Sequence, residues 1–485
     1  MKQHFFSVTL LLGLLIFTSN NSIAQQMTGN WTCKYATWDA ADGRNSIGFN
    51  TASVGVLKED HFVALAANIT GTTAYLVGYE NATDSTGMIG SFPYNQAGMV
   101  IDWINPDNGF DFLSVKKPMK ITVTPDSLIY MANNDDLKNV LVFKLTGDTT
   151  LSTIYRMETG NQEIHDVKVD ANGYVYVSEY AADGMVANIK VFNGIKNEPQ
   201  WGDLHNSNPI LTFALPDTGR ALGLAVSKNG SLLYVANYTL GKVYLYTGGP
   251  TTGYTLYNGF NYTNRDTAIG ARFSGPTGLA LLEPNNLLFV SQDVFGVGTY
   301  DFGKVNVLNG FTGEILSTCD IAAWNFLMTG TYNNRPNGGM FPNASGYAST
   351  LDVDVDASGN LYAVSYNGWT VDKFQYSETL PIIPNPLGIE KSDNNIPSQF
   401  NLAQNFPNPF NPITTIEFSI LEKSNVSLNI YSITGQLVET VVSQNELDRG
   451  NYKYTFDASK LASGTYIYTL TTGVNTVSKK MTLIK

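Results

Sequence analysis

Amide and carboxylate side chains recur at one position of a repeated two-strand pattern in this chain. When the copies are aligned on their strands, the equivalent residues are Ala66, Asn133, Glu179, Asn237, Gln292 and Ser365. Carboxylate and amide oxygens are the donors that Ca²⁺ and similar hard cations prefer. The predicted ligand-binding residues are therefore the four with amide or carboxylate groups: Asn133, Glu179, Asn237 and Gln292. The alternative is that these side chains cap turns and satisfy backbone groups at strand ends.

The elements that position these residues are paired strands. A short alternating strand is followed by a polar turn and then by a more hydrophobic strand that ends in a small and a polar residue. In one copy, Val167-Lys168-Val169 leads through Asp170–Gly173 to Tyr174–Glu179. The first strands of the copies are anchored at positions 54, 121, 167, 224, 279 and 353. The spacing allows four strands per copy, and repeats of this kind predict the blades of a β-propeller.

The number of blades follows from the number of copies. A single blade cannot bury both of its faces, so the blades must stack in a ring. Six copies predict a six-bladed propeller, and the long intervals 54–121 and 279–353 leave room for a seventh blade. We assign residues 25–380 to this all-β propeller.

The Asp-x-x-Gly-x-Leu-Tyr-Val-Ala character of the copies resembles the NHL-type and SMP-30/gluconolactonase-like six-bladed propellers, over roughly residues 50 to 380. The lactonase-like members hold a metal ion with a Glu, Asn and Asp set. The resemblance implies Glu179, Asn237 and Asp293 as the matching metal ligands, with Ca²⁺ or another divalent cation as the cofactor. These motifs are general to the superfamily and indicate fold more strongly than function.

Other catalytic signatures have little support in the sequence. The chain has no Gly-x-Ser-x-Gly elbow between a strand and a helix, and no His-Glu-x-x-His or Cys-x-x-Cys spacing. The stretch Asp354–Gly359 matches the start of a calcium-binding loop, but Ser365 stands where a bidentate Glu is needed. The same stretch aligns with the turn Asp170–Gly173, so we interpret it as a hairpin turn.

The first 24 residues predict export. Lys2 gives a positive start, Val8 to Phe17 is a short apolar run, and Ser22-Ile23-Ala24 supplies the small residues that a signal peptidase reads. This is the pattern of a secretory signal peptide, and the apolar run is too short to span a bilayer. In an oxidising compartment, Cys33 and Cys319 could pair as a disulfide, or both could be buried thiols. A net charge of −12 disfavours nucleic acid as a partner.

The composition changes near residue 381. Residues 381–399 are rich in Pro, Asn and Ser and predict a linker. Residues 400–485 then alternate polar and apolar side chains, as in Thr415–Ile420, Val426–Tyr431 and Gly464–Leu470, which predicts a small Ig-like β-sandwich.

The same C-terminal segment resembles the type A C-terminal sorting domain of the type IX (Por) secretion system of Bacteroidetes and their relatives. The matching stretches are Asn405–Pro412, Ile430-Tyr431 with Gly435, Phe456–Ser459, Leu461–Tyr466 and Lys479–Met481. The resemblance implies passage through the type IX secretion machinery of the outer membrane, and then removal of the domain with release or surface attachment of the cargo. It implies no catalysis by the domain itself.

Together these features predict a secreted or cell-surface β-propeller that acts as a binding module for an unknown surface or small-molecule ligand. The alternative is a metal-dependent, lactonase-like hydrolase in the propeller channel. A third alternative is a structural surface-layer protein. Convergence of Glu179, Asn237 and Asp293 would favour the hydrolase.

Overall fold

The elements that the computed structural model defines in the described residues are β-strands, apart from one 3₁₀ turn at Glu283–Asn285. The structure describes residues 27–36, 51–67, 74–79, 88–92, 102–105, 109–112, 116–135, 138–147, 150–160, 162–196, 205–206, 208–265, 267–268, 272–294, 303–321, 350–366, 370–383, 385, 389–393, 397, 399–447, 449–458 and 461–485. The predicted signal peptide, 1–24, lies outside these residues. None of the helical segments in the described part of the chain is long and apolar enough to span a membrane.

Six sheets form the body, and in the first five the strands run in sequence order from the first strand outward, with antiparallel pairing except where His205–Asn206 joins the second sheet in parallel. Blade 1 contains Thr51–Lys58, His61–Ala67, Ala74–Tyr79 and Met88–Phe92. Blade 2 contains Ile121–Val123, Leu128–Asp135, Lys138–Gly147 and Thr150–Glu158, extended by His205–Asn206. Blade 3 contains Ile164–Val169, Val175–Glu179, Asn188–Phe192 and Leu211–Ala214.

The remaining blades follow the same plan until the last strand of the sixth. Blade 4 contains Ala221–Val226, Leu232–Asn237, Lys242–Gly249 and Gly253–Leu256, with Tyr262–Thr263 beside its third strand. Blade 5 contains Gly275–Leu282, Leu287–Asp293, Lys304–Asn309 and Ile315–Asp320. Blade 6 contains Val353–Val355, Leu361–Ser365 and Thr370–Tyr376, and its fourth strand is Trp31–Ala36 from the beginning of the chain.

The first strands pack side by side in a closed ring. Each contacts the first strand of the next blade, and the first strand of blade 6 contacts that of blade 1. Two hairpins, Asp102–Asn105 with Gly109–Phe112 and Thr267–Ala268 with Arg272–Phe273, stand outside the blades. The β-propeller prediction is confirmed, and the described residues supply six blades. The number of blades in the whole chain stays a prediction.

The repeated Asp of the hairpin turns is a structural residue. In blade 3, Asp170 accepts a hydrogen bond from the backbone N–H of Tyr174 at 2.9 Å and one from the hydroxyl of Tyr176 at 3.1 Å. In blade 6, Asp356 accepts the equivalent bonds from Asn360 at 3.0 Å and from Tyr362 at 3.1 Å. The predicted hairpin turn within Asp354–Gly359 is therefore formed, with Gly359 at a φ of +81° that favours glycine.

The C-terminal segment forms two four-stranded antiparallel sheets around a separate apolar core. One sheet orders Ile389–Asp393, Gly450–Asp457, Ile413–Ile420 and Asn401–Leu402. The other orders Leu437–Leu447, Ser424–Ser432, Gly464–Thr471 and Thr476–Leu483. The predicted β-sandwich is confirmed. Its first sheet takes Ile389–Asp393 as an edge strand from within the predicted linker, where Ile389 pairs with Tyr454.

Candidate functional site

The predicted ligand-binding residues lie where the sequence alignment placed them, near the ends of the second strands of blades 2 to 5. Asn133, Asn237 and Gln292 are fully buried and Glu179 is 3% exposed. Their carboxylate and amide groups are therefore enclosed by protein. What they can bind depends on which groups already surround them.

Glu179 and Asn237 make short-range contacts next to their own strands. The Glu179 carboxylate pairs with Lys190 and accepts a hydrogen bond from Asn188 Nδ2 at 3.1 Å, and both partners lie on the third strand of blade 3. Asn237 donates to the carbonyl of Thr218 at 3.1 Å and accepts from the backbone N–H of Leu240 at 3.2 Å. These bonds hold the turns at this end of the blades.

Gln292 and Asn133 behave in the same way. Gln292 accepts from Asn306 Nδ2 at 2.9 Å and donates to Ser274 Oγ at 3.1 Å. Asn133 accepts from the backbone N–H of Lys116 at 2.8 Å. Such bonds are what the turn-capping alternative requires. The ligand-binding assignment of these four residues stays a prediction.

The predicted metal ligands Glu179, Asn237 and Asp293 belong to three different blades. Asp293 is fully buried, and its Oδ1 accepts from the backbone N–H of Val294 at 2.6 Å. Lys190 neutralises the Glu179 carboxylate, which weakens the case for a cation at that group. In the part of the chain that the structure describes, no three His, Cys, Asp or Glu side chains are grouped closely enough to hold a metal ion. The metal site therefore stays a prediction.

The charged centre of the propeller lies instead at the first strands: Asp166 is on the first strand of blade 3, and Lys120 and Asp352 directly precede those of blades 2 and 6. Lys120 is 4% exposed, and its Nζ lies 3.3 Å from Asp352 Oδ1 and 3.7 Å from Asp166 Oδ2. The Lys120 ammonium also donates to the carbonyl of Thr277. Thr277 belongs to blade 5, which lies across the ring from blade 2. Both carboxylates are fully buried. We call Lys120, Asp166 and Asp352 the axial network.

The axial network joins all six blades. Ser53 of blade 1 donates to Asp352 Oδ2 and accepts from the backbone N–H of Ile121 at 3.0 Å. Asp166 Oδ2 accepts from the backbone N–H of Leu224 in blade 4 at 2.8 Å. Buried charges are stable when they are paired and hydrogen-bonded in this way. The network therefore ties the blades together around the axis.

The electrostatics of this region follow from burial. Desolvation raises the pKa of Asp166, against the opposing effect of Lys168 and Lys120. Desolvation also raises the pKa of the half-buried Asp354 to about 6. Asp354 lies two residues after Asp352, on the first strand of blade 6. Burial lowers the pKa of His165 to about 4, and the charges of Arg220 and Lys120 act in the same direction. His165 is thus neutral at pH 7 and donates from Nδ1 to the carbonyl of Ala221 at 3.3 Å.

The sequence held a signal for the axial network. The residues that immediately precede the six strand anchors are Ser53, Lys120, Asp166, Gly223, Gly278 and Asp352. Strand alternation points each of them away from the face of its anchor. Gly278 is required here, because a Cβ on it would lie 2.4 Å from Asp352 Oδ1. Three charged residues and a serine occur among these six equivalent positions, and this pattern would have predicted a polar network at the propeller axis.

Three tyrosines lie at the second-strand end of the blades, each directly after an aligned polar residue. Tyr180, Tyr238 and Tyr366 are all half-buried. Tyr180 stacks edge-on against His165 with ring centroids 5.3 Å apart, and the Arg220 guanidinium lies 5.8 Å from the Tyr180 ring centroid. Arg220 also pairs with Asp183 at 3.0 Å. We call Tyr180, Tyr238, Tyr366 and Arg220 the tyrosine mouth.

Tyr254 and Tyr262, two further tyrosines of blade 4, also have structural partners. Tyr254 donates to the carbonyl of Gly230, and Tyr262 is 3% exposed. Trp324, Tyr332 and Trp369 lie outside the described residues. The tyrosine mouth combines partial exposure with a shared position in the ring, and its tyrosines have partners too: the Tyr238 hydroxyl donates to the carbonyl of Phe273 at 3.2 Å, and Tyr366 packs against an apolar cluster.

The two cysteines are present as thiols, without a disulfide between them. Cys319 is 2% exposed on the fourth strand of blade 5, and Cys33 is half-buried on the strand Trp31–Ala36. The disulfide stays a prediction.

Asn405, the first residue of the motif Asn405–Pro412, forms a buried polar latch in the sandwich. Asn405 is 2% exposed, and its Nδ2 donates to Thr414 Oγ1 at 2.9 Å and to the carbonyl of Pro407 at 3.1 Å. Its backbone N–H donates to the hydroxyl of Tyr468 at 2.8 Å. The latch fixes the start of the segment against both sheets.

Comparisons with known proteins identify this segment. Residues 404–485 match the family described as the secretion system C-terminal sorting domain. No curated protein matches the chain.

Solved structures give only weak likenesses. A protein from Lactobacillus plantarum is 10% identical, with 84% of this chain and 88% of that chain covered and a TM-score of 0.34. A calcium-binding protein, regucalcin, from Agrobacterium tumefaciens is 9% identical, with 66% and 92% covered and a TM-score of 0.35. A putative 6-phosphogluconolactonase from Bacteroides uniformis is 14% identical, with 69% and 86% covered and a TM-score of 0.38. TM-scores this low support no inference about this chain.

The blade topology and the matched segment together define the protein at the level of its class. The family match identifies residues 404–485 as a sorting domain, and these residues lie in the two-sheet unit with its own apolar core. Such a domain is an address that the type IX secretion machinery reads. The chain is an exported β-propeller protein, secreted or held at the cell surface, that carries a secretion system C-terminal sorting domain.

Proposed function

We propose that the propeller is a binding module that receives a carbohydrate at the tyrosine mouth. The observation that carries the proposal is the repeated placement of Tyr180, Tyr238 and Tyr366 after the second strands of three blades. Tyrosine rings offer an apolar face and a hydroxyl, the combination that stacks on a sugar ring and bonds to its hydroxyls. Export to the cell surface brings such a module into contact with glycans.

The axial network supports binding at a face of the ring. Lys120 spans the axis to Thr277, and Asp166 and Asp352 are fully buried beside it. A ligand that displaced these groups would leave unpaired charges in the interior, at a cost of about 3–5 kcal/mol. Contact at the mouth avoids that cost.

The alternative, a metal-dependent lactonase-like hydrolase in the channel, has weaker support. Glu179 is paired with Lys190, and Asn237 bonds to Thr218 and Leu240. A purified protein that retains one equivalent of Ca²⁺ after dialysis, measured by mass spectrometry, would restore this alternative.

Affinity electrophoresis tests the binding proposal. The purified chain is run through native gels that contain starch, xylan, pectin or hyaluronan. We expect at least one polysaccharide to retard the protein, and Tyr180→Ala with Tyr238→Ala to abolish the retardation. Tyr174→Ala is the matched control, because Tyr174 is also half-buried but lies at the hairpin-turn end of the same blade as Tyr180. Absence of retardation in every gel, or equal loss in the control, contradicts the proposal.

A further inference from the structure

The ring is closed by a strand from the far end of the sequence. Trp31–Ala36 pairs antiparallel with Thr370–Tyr376, so Trp31 lies opposite Tyr376 and Cys33 opposite Phe374. Among the strands that the structure describes, this one is the outer edge of blade 6 and has a neighbour on one side only. Propeller closure therefore depends on how well the closing strand, Trp31–Ala36, is held.

The closing strand also packs against the outer strand of blade 5. Trp31 Nε1 donates to Ser317 Oγ at 3.1 Å, and the Trp31 ring meets Phe289 of blade 5 edge-on at 6.1 Å. Ser317 lies opposite Val307, and Val307 lies opposite Phe289. Trp31 therefore faces one transverse row of blade 5.

The next row brings the two cysteines together. Cys33 is two residues after Trp31, and Cys319 is two residues after Ser317, so each lies on the same face as its neighbour. Both strands are fourth strands of adjacent blades, so they run in the same direction and the two-residue steps match. Cys33 and Cys319 contact the same apolar cluster, and the proximity of Cys33 contributes to the raised pKa of the buried Cys319 thiol.

We propose that Cys33 and Cys319 are oxidised to a disulfide that locks the closing strand onto blade 5 after export. A disulfide of an exchange catalyst, or of oxidised glutathione, is the oxidant. Cys33, the more exposed thiol, loses its proton and attacks that disulfide, forming a mixed disulfide and releasing one thiolate. Cys319 then loses its proton and attacks Cys33 Sγ, forming the Cys33–Cys319 bond and releasing the second thiolate. The oxidant gains two electrons and two protons.

Burial of Cys319 links this chemistry to closure. A buried thiol with a raised pKa is a poor nucleophile. When the closing strand is not docked, the Cys319 thiol is exposed. Docking of that strand then brings Cys33 to Cys319. The lock therefore forms when the ring closes, and the oxidising compartment outside the cytoplasm is where such bonds persist.

Thiol counting tests the lock. The full chain, recovered from the cell surface or the medium, is denatured and treated with a maleimide-linked polyethylene glycol, with and without prior reduction. We expect no mass addition without reduction and two additions after it. Oxidised glutathione, added to reduced protein, should restore the unlabelled form. Two additions per chain without reduction and after glutathione treatment overturn the proposal, as does a disulfide that joins two chains.

Melting temperatures of the oxidised and reduced chains distinguish a disulfide between Cys33 and Cys319 from two thiols that are only close together. Closing a loop of this length should raise the melting temperature of the oxidised chain by roughly 5 °C over the reduced chain. Cys33→Ser and Cys319→Ala should each melt at the same temperature with and without reductant. A reductant effect of equal size in either variant contradicts the proposal.

Discussion

The propeller axis is held by buried charges, whereas the core of the C-terminal sandwich is almost wholly apolar. At the axis, Lys120, Asp166 and Asp352 lie in contact with almost no exposure to solvent. In the sandwich, the core includes Ile416, Phe418, Leu428, Ile430, Phe456, Leu470 and Met481.

The difference reflects geometry. Two sheets that face each other bury apolar side chains row against row. Six first strands that meet around one line also turn backbone N–H groups toward each other, and polar side chains must satisfy them. The backbone N–H groups of Ile121 and Leu224 find their acceptors in this way, on Ser53 and Asp166.

The largest effect should come from the axis. Lys120→Ala removes the cation that Asp166 and Asp352 share and leaves Asp166 only Lys168, 4.0 Å from its Oδ1, so we expect the propeller to lose about 3–5 kcal/mol of unfolding free energy. Tryptophan fluorescence during urea unfolding reports the propeller alone, because all six tryptophans precede residue 400. Lys117→Ala is the control, since Lys117 forms a more exposed pair with Glu163. Equal stability of the two variants would disprove the axial role.

Acidification should weaken the propeller through His165. Its pKa is about 4 in the folded chain and 6.5 when unfolded, so only the unfolded chain takes up the proton between these values. Stability is therefore present above pH 6.5 and is lost as the pH falls toward 4, by about 3 kcal/mol from this group. His165→Gln should flatten this part of the melting profile, whereas His61→Gln, at the turn next to Glu59, should retain it. An unchanged profile in His165→Gln contradicts the assignment.

In the sandwich, the polar latch should matter less than the axial charges. Asn405→Ala removes three hydrogen bonds of a neutral side chain, with Thr414, Pro407 and Gln404. Only the bond to Thr414 is fully buried, and we expect a loss of about 1–2 kcal/mol. The readout is protease cleavage within residues 400–485, followed by mass spectrometry, together with the fraction of the chain that is exported. The tryptophan transition should stay unchanged. Exposed Asn475→Ala is the control, and greater sensitivity there would reverse the comparison.

The smallest expected effect concerns Asp354, which faces Lys168 and Asp352. Its pKa of about 6 exceeds the ordinary value of 3.8, so the folded chain holds the proton more tightly. The stability that this gives is present below pH 3.8 and is lost as the pH rises through 6. Asp354→Asn should stabilise the chain by about 1 kcal/mol at pH 8 and hardly at pH 4, allowing for partial solvent exposure. Thermal melts at both pH values check this, and equal gains would contradict it.

Sequence periodicity was sufficient for the architecture because it is local. The alternation in Thr415–Ile420 places Ile416, Phe418 and Ile420 on one face, and all three are buried in the sandwich. The repeated anchors likewise located the first strands of all six blades, including Val167 opposite Val177 and Leu224 opposite Val235. The alignment also placed Asn133, Glu179, Asn237 and Gln292 correctly along their strands, but it could not show which groups they contact.

The sequence by itself determined that the chain is all-β, that it carries a sorting domain and that it is exported, because these properties depend on short-range patterns and contiguous motifs. Only the tertiary structure decided which polar residues meet. Lys120 reaches Thr277 across the ring, and Trp31 meets Ser317 through closure by a distant strand. The residues before the strand anchors mark positions near the axis, but which of them meet depends on how blades far apart in sequence are brought side by side, and no local pattern encodes that pairing.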